Sequence, residues 1–309
     1  MVTQPNQRER ENLRQLLELA RREDLGSGDV TSGIVPAELT VTGRFLARQP
    51  MVFCGGVFLE TIAAGYDGGI RTELLAEDGR KVGPGTGLAV WRGPARGILA
   101  AERVALNFLQ RLSGVAATTR EYVDAVAGTG AGIYDTRKTT PAWRELEKYA
   151  VRAGGGFNHR KGLYDAVLVK DNHLAILAWA EGQDPLTALA RALERIRPSL
   201  PEGAFVELEV DTLDQFAQAL ALDVDIILLD NMGPEQLAQA VKTRDAAGLK
   251  GRIELEASGG ITLANVRAVA ATGVERIAIG ALTHSAGSVD IALDIEMGTP
   301  NAKKGPQSR

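Results

Sequence analysis

The spacing of apolar residues changes character partway along this chain. In the first part, Leu13, Leu16 and Leu17 share one face of a helix that we expect over 9–22. Further helices are predicted near 56–65 and over 95–126. The segments 40–47, 70–76 and 88–92 have the composition of strands joined by turns.

A regular alternation of strands and helices begins near residue 130. The predicted strands are short and apolar and cover 132–135, 165–170, 204–210, 225–230, 252–257 and 276–280. Helices are predicted near 142–152, over 173–197 with a break, and near 212–222, 234–247 and 262–272. This alternation predicts an α/β fold with a parallel sheet and helical crossovers.

Polar residues follow nearly every one of these strands. Basic residues end the first two strands, and Glu207, Glu209 and Asp230 lie at the ends of the next two. A (β/α) barrel gathers its active site from many strand ends, whereas a doubly wound sheet uses one switch point. We therefore expect a barrel, left open and incomplete because the pattern supplies about six strands rather than eight.

Composition restricts the possible partners. The chain has 309 residues, a net charge of −4 and 5% aromatic residues, which argues against binding to nucleic acid or an anionic membrane. One cysteine, Cys54, fits a reducing compartment, and no signal peptide or membrane span is recognisable. We expect a cytoplasmic protein whose anionic ligands bind to a local cluster of cations.

The strand ends predict three kinds of chemistry in one pocket. The basic residues Arg137, Lys138, Arg160 and Lys170, with His159 beside them, would bind a molecule with several negative charges. Glu209 and Asp230 would hold sugar hydroxyls or Mg²⁺, although an ion pair with a neighbouring lysine is an alternative role for Glu209.

The third component is a phosphate site at the late strands. Ser258, Gly259 and Gly260 lie between a strand and a helix, with Thr262 as a candidate N-cap, so the backbone N–H groups and the helix dipole would suit a phosphate. Gly280 ends the next strand and would allow close approach, with His284 nearby. A phosphorylated sugar together with an acidic co-substrate would match all three components.

Several segments, in order and over most of the chain, resemble the quinolinate phosphoribosyltransferase family. They include EDLGSGDVTS, ERVALNFLQRLSGVAATTR, DTRKTTPAWRELEKYAVRAGGGFNHRKGLYDAVLVKDNH, ELEVDTLDQ, ILLDNM, EASGGIT and IGALTHS. The resemblance implies that quinolinate and phosphoribosyl pyrophosphate are converted to nicotinate mononucleotide, pyrophosphate and CO₂, with Mg²⁺, in de novo NAD synthesis. It also implies an N-terminal α/β sandwich domain, an open (β/α) barrel, and a homodimer or a larger assembly of dimers.

The resemblance assigns domains as well. They are a sandwich domain over 1–115 to which 286–297 returns, and a barrel over 116–285. The polar composition of 298–309 separately predicts a disordered tail. The resemblance further implies that Arg103, which alone reads as a helix-surface or interface charge, reaches the site of the partner subunit.

Roles for the pocket residues also follow from the resemblance. Arg137, Lys138, His159, Arg160 and Lys170 would line the quinolinate site, next to Thr136. Glu209 and Asp230 would hold the ribose hydroxyls and the Mg²⁺-bound diphosphate, and the 5-phosphate would lie on Ser258, Gly259, Gly260 and Gly280, near His284. Lys138 and Lys170 are both candidates to assist the loss of CO₂.

Other functions fit the sequence less well. A molybdenum-associated paralogue of the family would share the barrel and the phosphate site, but the basic residues expected for a dicarboxylate are all present here. A metal-binding protein using His159, His173 and Asp171 would need a ligand spacing that matches no familiar zinc pattern. We expect His173, at the start of a helix, to be structural rather than catalytic, either as a cap or as a contact behind the site.

Overall fold

The computed structural model describes residues 4–296. These divide into two compact units, the first formed by 4–117, 145–153 and 287–296 and the second by 118–144 and 154–286. The tail predicted over 298–309 lies outside the described residues. No helix in the described part is both long and apolar enough to cross a membrane.

An antiparallel sheet of four strands organises the first unit. Its order is β12-β1-β5-β3, with the strands β1 Thr40–Ala47, β3 Arg71–Leu74, β5 Gly87–Pro94 and β12 Ile291–Glu296. Alternate residues of β1 are buried, and Phe45 packs edge-on against Trp91 with ring centroids 4.8 Å apart. A separate pair joins β2 Met51–Val52 to β4 Lys81–Val82.

Four helices complete the first unit or begin in it. They are α1 Gln7–Leu25, α2 Leu59–Tyr66, α3 Ala95–Ala125, which continues into the second unit, and α4 Arg144–Ala153. Helix α1 starts two residues before the predicted position because Asn6 caps it reciprocally with Glu9. Glu9 is buried and also accepts from Arg152 of α4 at 2.8 Å.

The second unit contains a parallel sheet of six strands. Its order is β6-β11-β10-β9-β8-β7, with the strands β6 Gly132–Tyr134, β7 Val167–Val169, β8 Val206–Val210, β9 Ile226–Asp230, β10 Glu254–Ser258 and β11 Arg276–Ala278. The edge strands β6 and β7 are not paired with each other in the described residues, so the sheet stays open. The predicted α/β class, with an open and incomplete barrel, is confirmed.

Crossover helices follow most of these strands. They are α5 Asp171–Glu181, α6 Pro185–Ile196, α7 Leu213–Ala219, α8 Pro234–Ala246, α9 Val266–Ala270 and α10 Ala281–His284. The predicted break within 173–197 is confirmed, since Gly182 has φ +61° and Asp184 caps α6. The prediction for 262–272 was too long and Thr262 is not the cap, because Thr262 donates its N–H to Asn265 in a turn that precedes α9.

Candidate active site

One cavity of about 370 Å³ opens at the carboxyl ends of the strands in the second unit. It brings together most of the residues that the sequence singles out. Its lining residues are Thr136, Arg137, Lys138, His159, Arg160, Leu168, Lys170, Glu209, Leu228, Asp230, Glu256, Ser258 and Ala278. The structure therefore brings these side chains together at the strand ends, while their chemical roles stay a prediction.

Arg144 fixes the loop that follows β6. It donates to the side-chain oxygen of Thr139 at 3.0 Å, to the carbonyl of Lys161 at 3.0 Å and to the carbonyl of Arg137 at 3.3 Å. Within this loop, the hydroxyl oxygen of Thr136 accepts from the Lys138 N–H at 3.0 Å. These bonds fix the loop that carries Arg137 and Lys138, both of which line the cavity.

His159 is held on several sides. Its backbone N–H donates to the buried carboxylate of Asp135 at 2.8 Å, and its Nδ1 accepts from the Arg160 N–H at 2.7 Å. A neutral ring that accepts at Nδ1 carries its proton on Nε2, which lies 2.7 Å from Glu207. His159 thus presents an oriented ring to the cavity, with Nε2 turned toward a buried acid.

Two carboxylates lie buried under the cavity. Burial raises the pKa of Glu207 and of Glu256 to about 7 each, against an ordinary 4.5, and for Glu256 the neighbouring charge of Glu207 adds to the effect. Arg276 donates to Glu256 at 2.7 Å and lies 3.8 Å above the ring of Tyr134. The two acids therefore titrate as a pair that shares a proton near neutral pH.

The same acids raise the question of a metal. Ligand atoms of His159, Glu207 and Glu256 lie within 4.8 Å of one another, which is close enough to hold an ion. Arg276 already occupies one oxygen of Glu256, and His159 is bonded to Glu207. These contacts use part of the cluster's capacity, and one buried oxygen of each acid keeps no hydrogen-bond partner among the described residues.

The basic wall of the cavity has unused hydrogen-bonding capacity. The Nε of Arg137 is buried and has no acceptor within the described part of the chain. Burial, and next the positive charge of Arg137, lowers the pKa of Arg160, which remains a cation. Two guanidinium groups that repel each other, one with an unfilled donor, are chemically suited to binding an anion.

The acidic wall combines two carboxylates. Lys170 forms an ion pair with Glu209, the contact that the sequence offered as an alternative for this acid, and it leaves the Lys170 side chain 43% exposed. Burial, and then the charge of Glu209, raises the pKa of Asp230. The carboxylate of Asp230 also accepts from the Asn231 side chain at 2.6 Å.

Ser258, Gly259 and Gly260 form a turn at the end of β10, which we call the glycine turn. Gly259 and Gly260 have φ of +90° and +62°, a conformation that favours glycine. Helix α9 begins at Val266, six residues after Gly260. The phosphate site predicted on this turn stays a prediction.

Gly280 lies beside the cavity without lining it. A Cβ atom there would come within 2.9 Å of the Lys138 side chain and 3.1 Å of Nε2 of His284. The Nδ1 of His284 is bonded to Ser285 at 2.6 Å. A small residue at this position therefore keeps Lys138 and His284 close together.

Several residues named from the sequence lie outside the cavity lining, namely Arg103, His173, Gly259, Gly260, Gly280 and His284. Arg103 is an exposed residue of α3 in the first unit. His173 is the third residue of α5, where its ring accepts from the Lys170 N–H at 3.1 Å. The structure shows the cap, the first of the two structural roles expected for His173.

Arg144, Glu256 and Arg276 were not predicted, and Asn231 was noted at a strand end without a role. Glu256 looks like an ordinary charge in a strand that carries acids at alternate positions, and its partner Arg276 lies one strand away in the sheet register. Asn231 directly follows Asp230, and its position after a strand was a signal that could have been used.

An open six-strand barrel with a basic and an acidic wall at its strand ends is the architecture of an enzyme that handles anionic, phosphorylated substrates. Residues 115–294 match the family described as quinolinate phosphoribosyl transferase, C-terminal domain. Residues 29–113 match the family described as the N-terminal domain of the same enzyme. This chain belongs to the quinolinate phosphoribosyltransferase family.

Individual relatives agree with this membership. A probable nicotinate-nucleotide pyrophosphorylase (carboxylating) from Bacillus subtilis is 37% identical over 292 residues, covering 94% of this chain and 96% of the relative. The enzyme of that name from Mycobacterium leprae is 42% identical over 287 residues, covering 91% and 96%. The solved nicotinate-nucleotide pyrophosphorylase from Francisella tularensis superposes with a TM-score of 0.83 at 33% identity, over 96% of this chain and 99% of that one.

Proposed function

We propose that this protein transfers the phosphoribosyl group of phosphoribosyl pyrophosphate to quinolinate, with loss of CO₂, to give nicotinate mononucleotide and pyrophosphate. Family membership supports this reaction. The observation that carries it at the site is the unfilled donor of Arg137 in a basic wall that faces Glu209 and Asp230 across one cavity.

Quinolinate would lie against the basic wall. Its two carboxylates match Arg137 and Arg160, because guanidinium groups bind carboxylates through paired hydrogen bonds. The oriented ring of His159 would pack beside it. Holding both carboxylates aims the ring nitrogen toward the acidic wall, where the sugar would bind.

The acidic wall would hold the ribose. Breaking the bond between ribose C1 and the diphosphate builds positive charge on the sugar, and the carboxylates of Glu209 and Asp230 stabilise that charge. The 5-phosphate would lie on the glycine turn, next to Gly280 and His284, and fix the other end of the sugar. The quinolinate nitrogen forms its bond to C1 as the diphosphate leaves.

Decarboxylation follows from the charge on the ring nitrogen. The 2-carboxylate leaves as CO₂, and its bonding electrons remain on the ring carbon beside the cationic nitrogen. A proton then completes the carbon. Lys138 and Lys170 line the cavity and are the groups we propose to stabilise this charge or deliver the proton.

A direct assay tests the reaction. Purified protein incubated with quinolinate, phosphoribosyl pyrophosphate and Mg²⁺ should yield nicotinate mononucleotide and CO₂ in equal amounts, measured by chromatography and CO₂ release. Nicotinate in place of quinolinate should give little product, because one carboxylate is missing. Equal use of nicotinate would contradict the dicarboxylate assignment, and no product from quinolinate would overturn the function.

Mg²⁺ is the proposed cofactor. Glu209 and Asp230 fit it, because they are oxygen donors close enough for one charge to raise the pKa of the other. Mg²⁺, when bound, would compensate charge on the diphosphate. Mn²⁺ binding measured by electron paramagnetic resonance in the presence of phosphoribosyl pyrophosphate should weaken in Glu209→Gln but not in Glu235→Gln, an exposed control on α8.

A homodimer, or an assembly of dimers, is the proposed working form, with Arg103 reaching the partner's site. Exposed Arg103 and the exposed Trp179 and Ile176 of α5 support an intersubunit surface. Co-expressed Arg103→Ala and Lys138→Ala subunits, each inactive alone, should regain about a quarter of wild-type activity, since about half the dimers are hybrids with one intact site. Sedimentation should show a dimer or a larger assembly, and a monomer or a failure to regain activity would refute the arrangement.

A cytoplasmic location completes the proposal. Cys54, the one cysteine, is buried and unpaired, which fits a reducing compartment. Some relatives from Nicotiana are described as mitochondrial, so cell fractionation with an antibody is the appropriate test.

A further inference from the structure

Asn231 directly follows strand β9 and has a backbone conformation that few side chains adopt. Its φ is +54°, and among the described residues Ala142 is the one other non-glycine with positive φ. Asparagine tolerates this region because its short polar side chain can form local hydrogen bonds. Such conformations persist where the surrounding structure fixes them, and they concentrate at functional sites.

The contacts of Asn231 point to two parts of the cavity. Its side-chain Nδ2 donates to Oδ2 of Asp230 at 2.6 Å. Its backbone N–H donates to the carbonyl of Ser258 at 2.9 Å, which continues the pairing of Asp230 with Ser258 in the sheet. One residue is thus bonded to the acidic wall and to the first residue of the glycine turn.

The lack of room for a side chain at Gly259 shows how closely the side chain of Asn231 approaches the turn. A Cβ atom at Gly259 would lie 2.1 Å from Oδ1 of Asn231 and 2.9 Å from its backbone nitrogen. Gly259 also has φ +90°. The amide of Asn231 therefore lies against Gly259 of the glycine turn, in space that a Cβ atom would occupy.

We propose that Asn231 is a positioning residue that holds the Asp230 carboxylate and the glycine turn in one fixed arrangement. The proposal rests on the function proposed above, in which Asp230 receives the ribose end of phosphoribosyl pyrophosphate and the glycine turn receives its 5-phosphate. Because both groups bind one substrate, the spacing between them sets how well that substrate fits. Asn231 acts through these groups and needs no contact with the substrate.

The first test removes the amide and keeps the backbone. Asn231→Gly retains access to positive φ, so the melting temperature should not fall. The KM for phosphoribosyl pyrophosphate should rise about tenfold, the usual scale for a lost hydrogen bond to a charged group. The KM for quinolinate should stay within about twofold, since the basic wall is untouched. Gln239→Ala, an exposed amide on α8, should change neither value.

The second test asks whether Asn231 works through Asp230. Asn231→Asp keeps the size and the backbone preference but puts a negative charge beside Asp230, so it should raise the KM for phosphoribosyl pyrophosphate more than Asn231→Gly does. Asp230→Ala combined with Asn231→Gly should lose little more than Asp230→Ala alone.

The outcomes separate this inference from the function itself. If the wild-type protein forms nicotinate mononucleotide while Asn231→Gly has an unchanged KM, or while the double variant shows fully additive losses, the positioning role is wrong and the function stands. If the wild-type protein forms no product from quinolinate and phosphoribosyl pyrophosphate, the function fails and the positioning role fails with it.

Discussion

Buried carboxylates occur in both units, and they are satisfied in different ways. In the first unit, Asp78 accepts from the N–H groups of Gly55 and Gly56 at 2.8 and 2.9 Å and from the Tyr149 hydroxyl at 2.6 Å. In the second unit, Glu207 and Glu256 each keep one buried oxygen without a hydrogen-bond partner in the described structure. Both environments raise the pKa of their acids through burial.

The contrast shows that burial of a charge does not by itself mark a site. The oxygens of Asp78 connect the backbone of Gly55 and Gly56 to the hydroxyl of Tyr149, which is a structural role. Glu256 lines a cavity and lies beside His159 and Arg276. One of its carboxylate oxygens has no hydrogen-bond partner in the described structure. Unfilled hydrogen-bonding capacity next to a cavity is the better indicator of function.

The largest expected difference between the units is in activity. Lys138→Ala and Lys170→Ala should each lower CO₂ release by about a hundredfold or more, because each removes a cation from the reacting centre. The melting temperature should not change much, and Lys242→Ala, exposed on α8, should behave as wild type. Near-normal turnover in both cavity variants would show that neither lysine takes part in decarboxylation.

The next effect concerns pH. The folded pair Glu207 and Glu256 binds a proton up to about pH 7, whereas the unfolded chain releases it near the ordinary value of 4.5. The raised pKa therefore stabilises the fold at low pH, and this contribution is lost as pH rises toward and through about 7. The free energy of unfolding should fall by about 1.4 kcal/mol per pH unit for one such proton in this window.

Glu207→Gln imitates the protonated acid and should reduce that slope in urea titrations between about pH 4.5 and 7, the interval between the unfolded and folded pKa values. Asp214→Asn, an exposed acid on α7, serves as the control and should leave the slope unchanged. An equally steep slope in Glu207→Gln would mean that another group is responsible.

In the first unit the expected effect is on stability. Tyr149→Phe leaves one oxygen of buried Asp78 without its hydroxyl donor, which should lower the free energy of unfolding by about 1–2 kcal/mol. Turnover per folded molecule should not change. Denaturant unfolding followed by circular dichroism measures the first quantity, and a selective loss of kcat would contradict a purely structural role.

The smallest effect is expected at the surface of the same unit. Arg92 and Glu73 pair across β5 and β3 at 2.6 Å, with both side chains 53% exposed. Arg92→Ala should therefore cost no more than about 0.5 kcal/mol. If Arg92→Ala lowered the free energy of unfolding as much as Tyr149→Phe does, burial would not determine how much a polar contact contributes to stability here.

The strands and helices of the second unit could be predicted because each one carries its own apolar pattern. Strand β9, for example, is four apolar residues followed by Asp230, with the apolar residues all buried. Strand β12 was not predicted as such, because its pairing with β1 depends on residues that are distant in sequence. The N-terminus of α9 was misplaced because the Thr262 side chain does not cap the helix, and the Thr262 N–H instead donates to the side chain of Asn265 in the turn before it.

The site was predictable to the extent that its residues lie at strand ends. Arg137, Lys138 and Asp230 were found in this way. Glu256 and Arg276 could not be found, because their pairing depends on the register of two strands. The two contacts of Asn231 likewise depend on backbone geometry that sequence spacing does not show.

The antiparallel sheet of the first unit has a consequence for synthesis of the chain. Strand β1 lies between β5 and β12, and Arg44 meets Glu296 across 252 positions of sequence. A growing chain must therefore complete the whole second unit before β12 can cover that edge, which leaves β1 unpaired on one side for many seconds at ordinary rates of translation. An open strand edge is a template for unwanted pairing, so the nascent protein is most exposed to aggregation, and to the action of chaperones, in the interval before its last strand is made.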